Sequence, residues 1–281
     1  MASSVSIGRV SGIPLRVHWS LLVLLPLFAW QYAPRELLAE WGDAGAAVPW
    51  RMWGTVLAVG LAEAAGLFAS IVLHELGHSL VARRKGGRIV DIVLLPIGGV
   101  ARIANLPRRP KDELAVALAG PGVSLALGLL LLGVKTGLLE WGMRTNFEGF
   151  PEAALWALYL LAALGWTNVV LALFNLIPAF PMDGGRVFRA ALTPRLGRVR
   201  ATAVAAWTAR LAAAGFALWA LYPLTKGEKS DFILLMIAMF VWQSAGTEAR
   251  RAELEADWAS MGGAPGGAWR GNAGWEDRAD G

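Results

Sequence analysis

The stretch SIVLHELGHSLVARRKG, residues 70–86, sets His74, Glu75 and His78 in the middle of an apolar run that stops at Arg83, Arg84 and Lys85. In a helix, positions i and i+4 share a face, so the two imidazoles can offer nitrogens to one point while Glu75 lies beside them. HExxH at this spacing is a zinc signature, with the histidines as ligands and the glutamate free to handle a proton. Ionisable groups inside a membrane segment are costly, about 2.5–3.5 kcal/mol for a central charge, so three together call for a binding partner.

Zinc in a hydrolytic site takes three protein ligands and keeps one position for water. The chain has no cysteine and one other histidine, His18. The extension HExxHxxGxxH is absent, because Val81 and Arg84 occupy the required places. Carboxylates within apolar segments remain, and Asp183 stands out in NVVLALFNLIPAFPMDGGRVFRA, residues 168–190. Pro178, Pro181, Gly184 and Gly185 disrupt the helical pattern there, so Asp183 can leave the regular path and reach a neighbouring helix.

The elements that must carry these residues are membrane helices. Of 281 residues, 56% are hydrophobic and 17% charged, a balance uncommon in a water-soluble domain. Six apolar stretches approach the length of a bilayer crossing: roughly 17–33, 52–82, 113–134, 154–178, 201–222 and 231–246. No small-residue cleavage site follows the first, which is therefore read as retained. The net charge of +5 is modest, and its basic residues sit in short clusters between stretches, which suits membrane orientation and not nucleic-acid binding.

Arg9 and Arg16, the group from Arg83 to Lys111 that includes Arg108, and the group from Arg186 to Arg200 all fall on one side if both termini are cytoplasmic. On that topology HExxH and Asp183 both lie near the cytoplasmic ends of parallel helices. His78 is five residues, about 7.5 Å of helix, from Arg83, within reach of water.

Residues 86–104, β-branched and bounded by glycines, predict one or two strands or a re-entrant segment. The expected fold is thus an all-α polytopic membrane protein of about six transmembrane helices with this small β or re-entrant piece. Residues 1–246 form the membrane domain, its core about 52–185, and 247–281 a partly disordered cytoplasmic tail. His18 reads as an interfacial structural residue with Trp19, and Glu63 as an early-helix carboxylate at the outer boundary. Gly120, Pro121, Gly122 and Ser124 read as close-packing residues.

Taken together, these segments resemble the site-2 proteases, intramembrane zinc metalloproteases. The matching residues are HELGH at 74–78, N-x-x-P-x-x-P-x-D-G at 175–184, GIPLRVHWS at 12–20, LLPIGGVARI at 94–103 and AGPGVSLALG at 119–128. The resemblance runs from about residue 8 to 200 in the family's order. It implies that His74, His78 and Asp183 bind one Zn2+, that Glu75 is the catalytic base, and that Asn175 is an accessory active-site residue. The residues depart from some relatives in that no PDZ-like insertion is expected between the motif spans and no nucleotide-binding regulatory pair in the tail, so a compact member is expected; the resemblance further implies a prokaryotic plasma membrane and single-span membrane proteins such as regulators of transcription as substrates.

Asn175 could steady a developing oxyanion or orient substrate, or else support the broken helix through an interhelical hydrogen bond. Two other functions use part of the same pattern. A membrane zincin of another family would share HExxH but has no reason to carry the proline-broken Asp183 motif. A metal-binding or transport protein would place His and Asp in membrane helices but leaves Glu75 without a duty.

Overall fold

The computed structural model describes residues 4–34, 48–96, 98–104, 109–147, 151–226 and 230–261. Arg108 and the glycine-rich end of the chain, for which disorder is expected, lie outside these residues. The chain divides into two compact units, residues 1–107 with 118–174, and residues 108–117 with 175–281.

The first unit opens with two strands that the apolar pattern did not predict, β1 (Ser4–Val10) and β2 (Ile13–His18). Helix α1 (Trp19–Tyr32) follows directly, its N-terminus capped by His18, whose ring accepts from the Ser20 amide. After α2 (Trp50–Arg84) come β3 (Arg88–Leu95) and β4 (Gly98–Ala104). The segment expected to be strand or re-entrant is therefore a hairpin.

The four strands form one sheet in the order β1-β2-β3-β4, antiparallel except for the parallel pairing of β2 with β3. Leu15 pairs with Ile92 and Val17 with Leu94. The all-α expectation is corrected on this point: alternating residues of IPLRVH meet the hairpin edge, and a pattern six residues long is hidden beside a longer apolar helix. A buried Asp91 on β3 bonds Arg102 on β4, which pushes that guanidinium above its ordinary pKa, with burial opposing.

Helix α2 has two working faces. Phe68, Val72 and Leu76, spaced i, i+4, i+8, pack against Val17, Leu21 and Leu94 in one cluster and Ile13 and Ile92 in another. Ser70, His74 and His78 share the same spacing on a different face and are all buried. That second face meets α3 (Pro110–Arg144) and α4 (Glu152–Asn175). Glu63 belongs to it too: it lies fourteen residues into α2, is buried, and accepts from the Tyr159 hydroxyl of α4, a partner that the sequence did not suggest.

The second unit holds the first turns of α3 together with α5 (Asp183–Leu196), α6 (Arg198–Leu221), a 3-10 turn (Tyr222–Lys226) and α7 (Phe232–Ser260). Its core joins Ala179, Phe180 and Met182 to Ala205, Ala206, Ala209 and Ala213 of α6 and to Val241 and Ala245 of α7. Alanines at these positions let helix backbones approach closely, the usual packing inside a bilayer.

Among the described residues four helices are long and apolar enough to cross a membrane: Trp50–Arg84, Pro110–Arg144, Ala153–Asn175 and Arg198–Lys226. The expectation of six is met for these four. The 14-residue α1 falls short of the length a crossing needs, and α7 changes from an apolar first half to a charged second half.

Candidate metal centre

The HExxH stretch lies wholly inside α2, as its spacing demands. His74 and His78 are each 4% exposed, and their Nε2 atoms lie 3.2 Å apart with the rings at 77°. Two nitrogens each about 2.0–2.1 Å from one tetrahedral zinc would be about 3.3–3.4 Å apart, so the pair is spaced to share one ion.

Two further observations fit a metal. A Cβ built on Gly120 of α3 would overlap the Nε2 atoms of both histidines, so only glycine leaves room beside them. On the other side of the ring, His74 Nδ1 lies 2.9 Å from Ser124 Oγ, leaving Nε2 to face its partner. The sequence reading treated Gly120 and Ser124 as packing residues. Their i, i+4 spacing on α3, matching that of His74 and His78, was the signal available.

Glu75 is one residue round the helix and half-buried, on the sheet side. Its Oε2 accepts from the Ala101 amide of β4 at 3.2 Å. A Cβ on Gly99 of the same strand would come within 2.7 Å of Glu75 Cγ and 2.9 Å of Ile71 Cγ2. Gly99 therefore lets the edge strand lie directly over the carboxylate-bearing helix. This end of the sheet is β4 and not β3, which is interior.

In the second unit, α4 ends at the half-buried Asn175, as the prolines predict. The chain turns through Leu176–Met182 with Phe180–Pro181 cis, and Asp183 is the first residue of α5, buried, 3.9 Å from Arg186 Nη1. A carboxylate there faces a helix N-terminus, whose partial positive charge complements it. The expectation that Asp183 leaves the regular helical path holds, but it does so by opening a new helix.

Arg189, one turn on, is buried over the Phe180 ring at 5.2 Å and bonded to Glu113, itself shared with Arg198. Sequence reading missed this network because its members are distant in the chain. His18 makes the structural contact with Trp19 that was expected of it, its ring beside that indole and Nδ1 2.6 Å from Ser20 Oγ.

The sequence profile of peptidase family M50 matches residues 62–218, more than half of the chain, and takes in His74, Glu75, His78, Gly120, Ser124, Asn175 and Asp183. A zinc metalloprotease of Methanocaldococcus jannaschii is 32% identical over 255 residues, 91% of this chain and 63% of its own. The Mycobacterium tuberculosis protein Rip3 is 34% identical over 253 residues, 89% of this chain and 60% of its own. The chain thus spans a little under two thirds of the length of these relatives. Among solved structures, the site-2 protease from Methanocaldococcus jannaschii matches with a TM-score of 0.53 at 32% identity, covering 88% of this chain and 95% of that one.

Proposed function

Since the chain belongs to peptidase family M50, we propose that it is a zinc-dependent intramembrane endopeptidase that cuts the spanning segments of membrane-anchored proteins. The observation that carries this reading is the buried pair of imidazole nitrogens, 3.2 Å apart, inside a helix apolar enough to cross a membrane. On this reading His74 and His78 would hold the zinc, with Asp183 of the proline-broken motif as its third ligand. Bound there, zinc supplies a Lewis acid for the scissile carbonyl and makes water nucleophilic near neutral pH.

The chain's own groups do the rest. Glu75 takes the proton from the attacking water and returns it to the leaving amine. Asn175, at the end of α4, orients the substrate or donates to the developing oxyanion. Buried apolar residues on the sheet side of α2 keep bulk water from that flank.

A peptide bond in a helix is screened by its own hydrogen bonds, so the substrate must arrive locally unwound. The outer edge of β4 can receive it as an added strand, since an edge presents unpaired backbone groups to an incoming chain. The Ala101 amide sits on that strand within reach of Glu75, which supports delivery of the peptide beside the base.

The membrane reading extends to α1 and the apolar half of α7, both shorter than a full crossing, as two short spans that complete the six, with both termini cytoplasmic and the site near the cytoplasmic face. The arginines at the end of α2 and the start of α6 support this orientation by the positive-inside rule. We place the protein in a prokaryotic plasma membrane, with single-span regulatory proteins as substrates. The test is cleavage of a single-span substrate by purified protein in liposomes, with the new termini mapped by mass spectrometry. Cuts within the hydrocarbon-spanning residues support the proposal; cuts confined to water-exposed flanks would replace it with soluble-side proteolysis.

A further inference from the structure

Helix α3 lies against the histidine pair with two residues one turn apart. Gly120 clears space where any side chain would meet both Nε2 atoms, and Ser124, 1% exposed, places Oγ 2.9 Å from His74 Nδ1. The two contacts touch opposite sides of the same problem: one keeps the metal-facing nitrogens unobstructed, and the other fixes how the His74 ring is turned. An imidazole can bind a metal through only one nitrogen at a time in such a pocket, and the partner of the other nitrogen decides which.

Resting on the metal-site reading above, we propose that Ser124 is a positioning residue that accepts a hydrogen bond from His74 Nδ1–H and so holds Nε2 toward the zinc. The same stretch of α2 shows the pattern once more without a metal: Ser70, one turn before His74, receives the Asn168 amide of α4 at 2.8 Å. Neighbouring helices thus fix the polar residues of this face one by one. The sequence pattern G-x-x-x-S at 120–124 is therefore read as clearance plus orientation, where composition alone suggests close packing.

The test compares zinc affinity of the purified full chain, measured by chelator competition, for the parent, Ser124→Ala and Ser124→Thr. Loss of an outer hydrogen bond to a ligating histidine typically lowers metal affinity 10–100-fold, so Ser124→Ala should weaken zinc binding by about that factor, while Ser124→Thr, which keeps the hydroxyl, restores most of it. The visible spectrum of the cobalt-substituted protein should shift in Ser124→Ala and not in Ser124→Thr. The melting temperature of the metal-free protein should be unaffected, because a general packing defect would lower it. Equal zinc affinity and an unchanged cobalt spectrum in Ser124→Ala overturn the inference while leaving the site intact. A parent that binds no zinc, or His74→Ala that binds it as tightly, overturns the site reading and the inference with it.

Discussion

Replacing Glu113 by alanine should destabilise the second unit and loosen the turn that presents Asp183. Glu113 is 2% exposed and serves two arginines: Arg189 Nε at 2.8 Å on Oε1 and Arg198 Nη1 at 2.8 Å on Oε2. Breaking a buried pair by removing one partner costs about 3–5 kcal/mol, since the other charge stays buried. Arg189 retains Glu248 at 3.3 Å, and the Arg198 side chain is a third exposed, so its arm adds at most about 1 kcal/mol. The expected loss is therefore about 3 kcal/mol for Glu113→Ala and under about 1 kcal/mol for Arg198→Ala. Replacing both partners with apolar residues, Glu113→Leu with Arg189→Met, should cost less than either single truncation, because no buried charge is stranded.

Unfolding in mixed detergent micelles, followed by tryptophan fluorescence, gives the double-mutant cycle directly. Because Arg189 also lies over Phe180 in the Leu176–Met182 turn, zinc affinity should fall with stability in Arg189→Met alone. A Glu113→Ala protein within 1 kcal/mol of the parent, or a double variant no better than the worse single, would refute the argument that this network holds the unit together.

Gly99→Val should abolish cleavage while leaving zinc content unchanged, because its side chain would displace Glu75 and not the histidines; retained activity would remove Glu75 from the chemistry. Ala101→Pro, which deletes the edge-strand amide that also donates to Glu75, should slow cleavage with zinc retained, and Gly or Pro in the cytoplasmic half of the substrate span should speed it by lowering helix stability about 1–3 kcal/mol; initial rates in liposomes unchanged for both would exclude strand addition and unwinding as limiting steps. Since the chain lacks native cysteine, Arg144→Cys should label from outside and Lys85→Cys only after permeabilisation; the reverse pattern would invert the topology.

The candidate site residues were legible because HExxH and the proline-interrupted Asp183 segment each carry their constraint locally: a helical period for one, lost amide donors for the other. Four helices long and apolar enough to cross a membrane were legible from apolar length alone. What escaped was pairing at a distance. Strands β1 and β2 are short and one-sided, and only the partner strand β3, over seventy residues later, makes IPLRVH a sheet element. Glu63, Ser124, Asn168 and Glu113 look ordinary in the sequence because each is defined by a residue on another helix. Even the Asp183 helix start was half seen, since prolines say where a helix stops but not that a new one begins on the aspartate.

The central claim is that one zinc ion held in this chain, with Glu75 as its proton carrier, cuts peptide bonds. The most direct measurement pairs metal content with single-span substrate cleavage in liposomes for the parent and Glu75→Gln. The account predicts one zinc per chain in both proteins, cleavage by the parent that chelation removes and zinc restores, and none by Glu75→Gln. Full cleavage by zinc-replete Glu75→Gln, or a cleaving parent that carries no zinc, would contradict it.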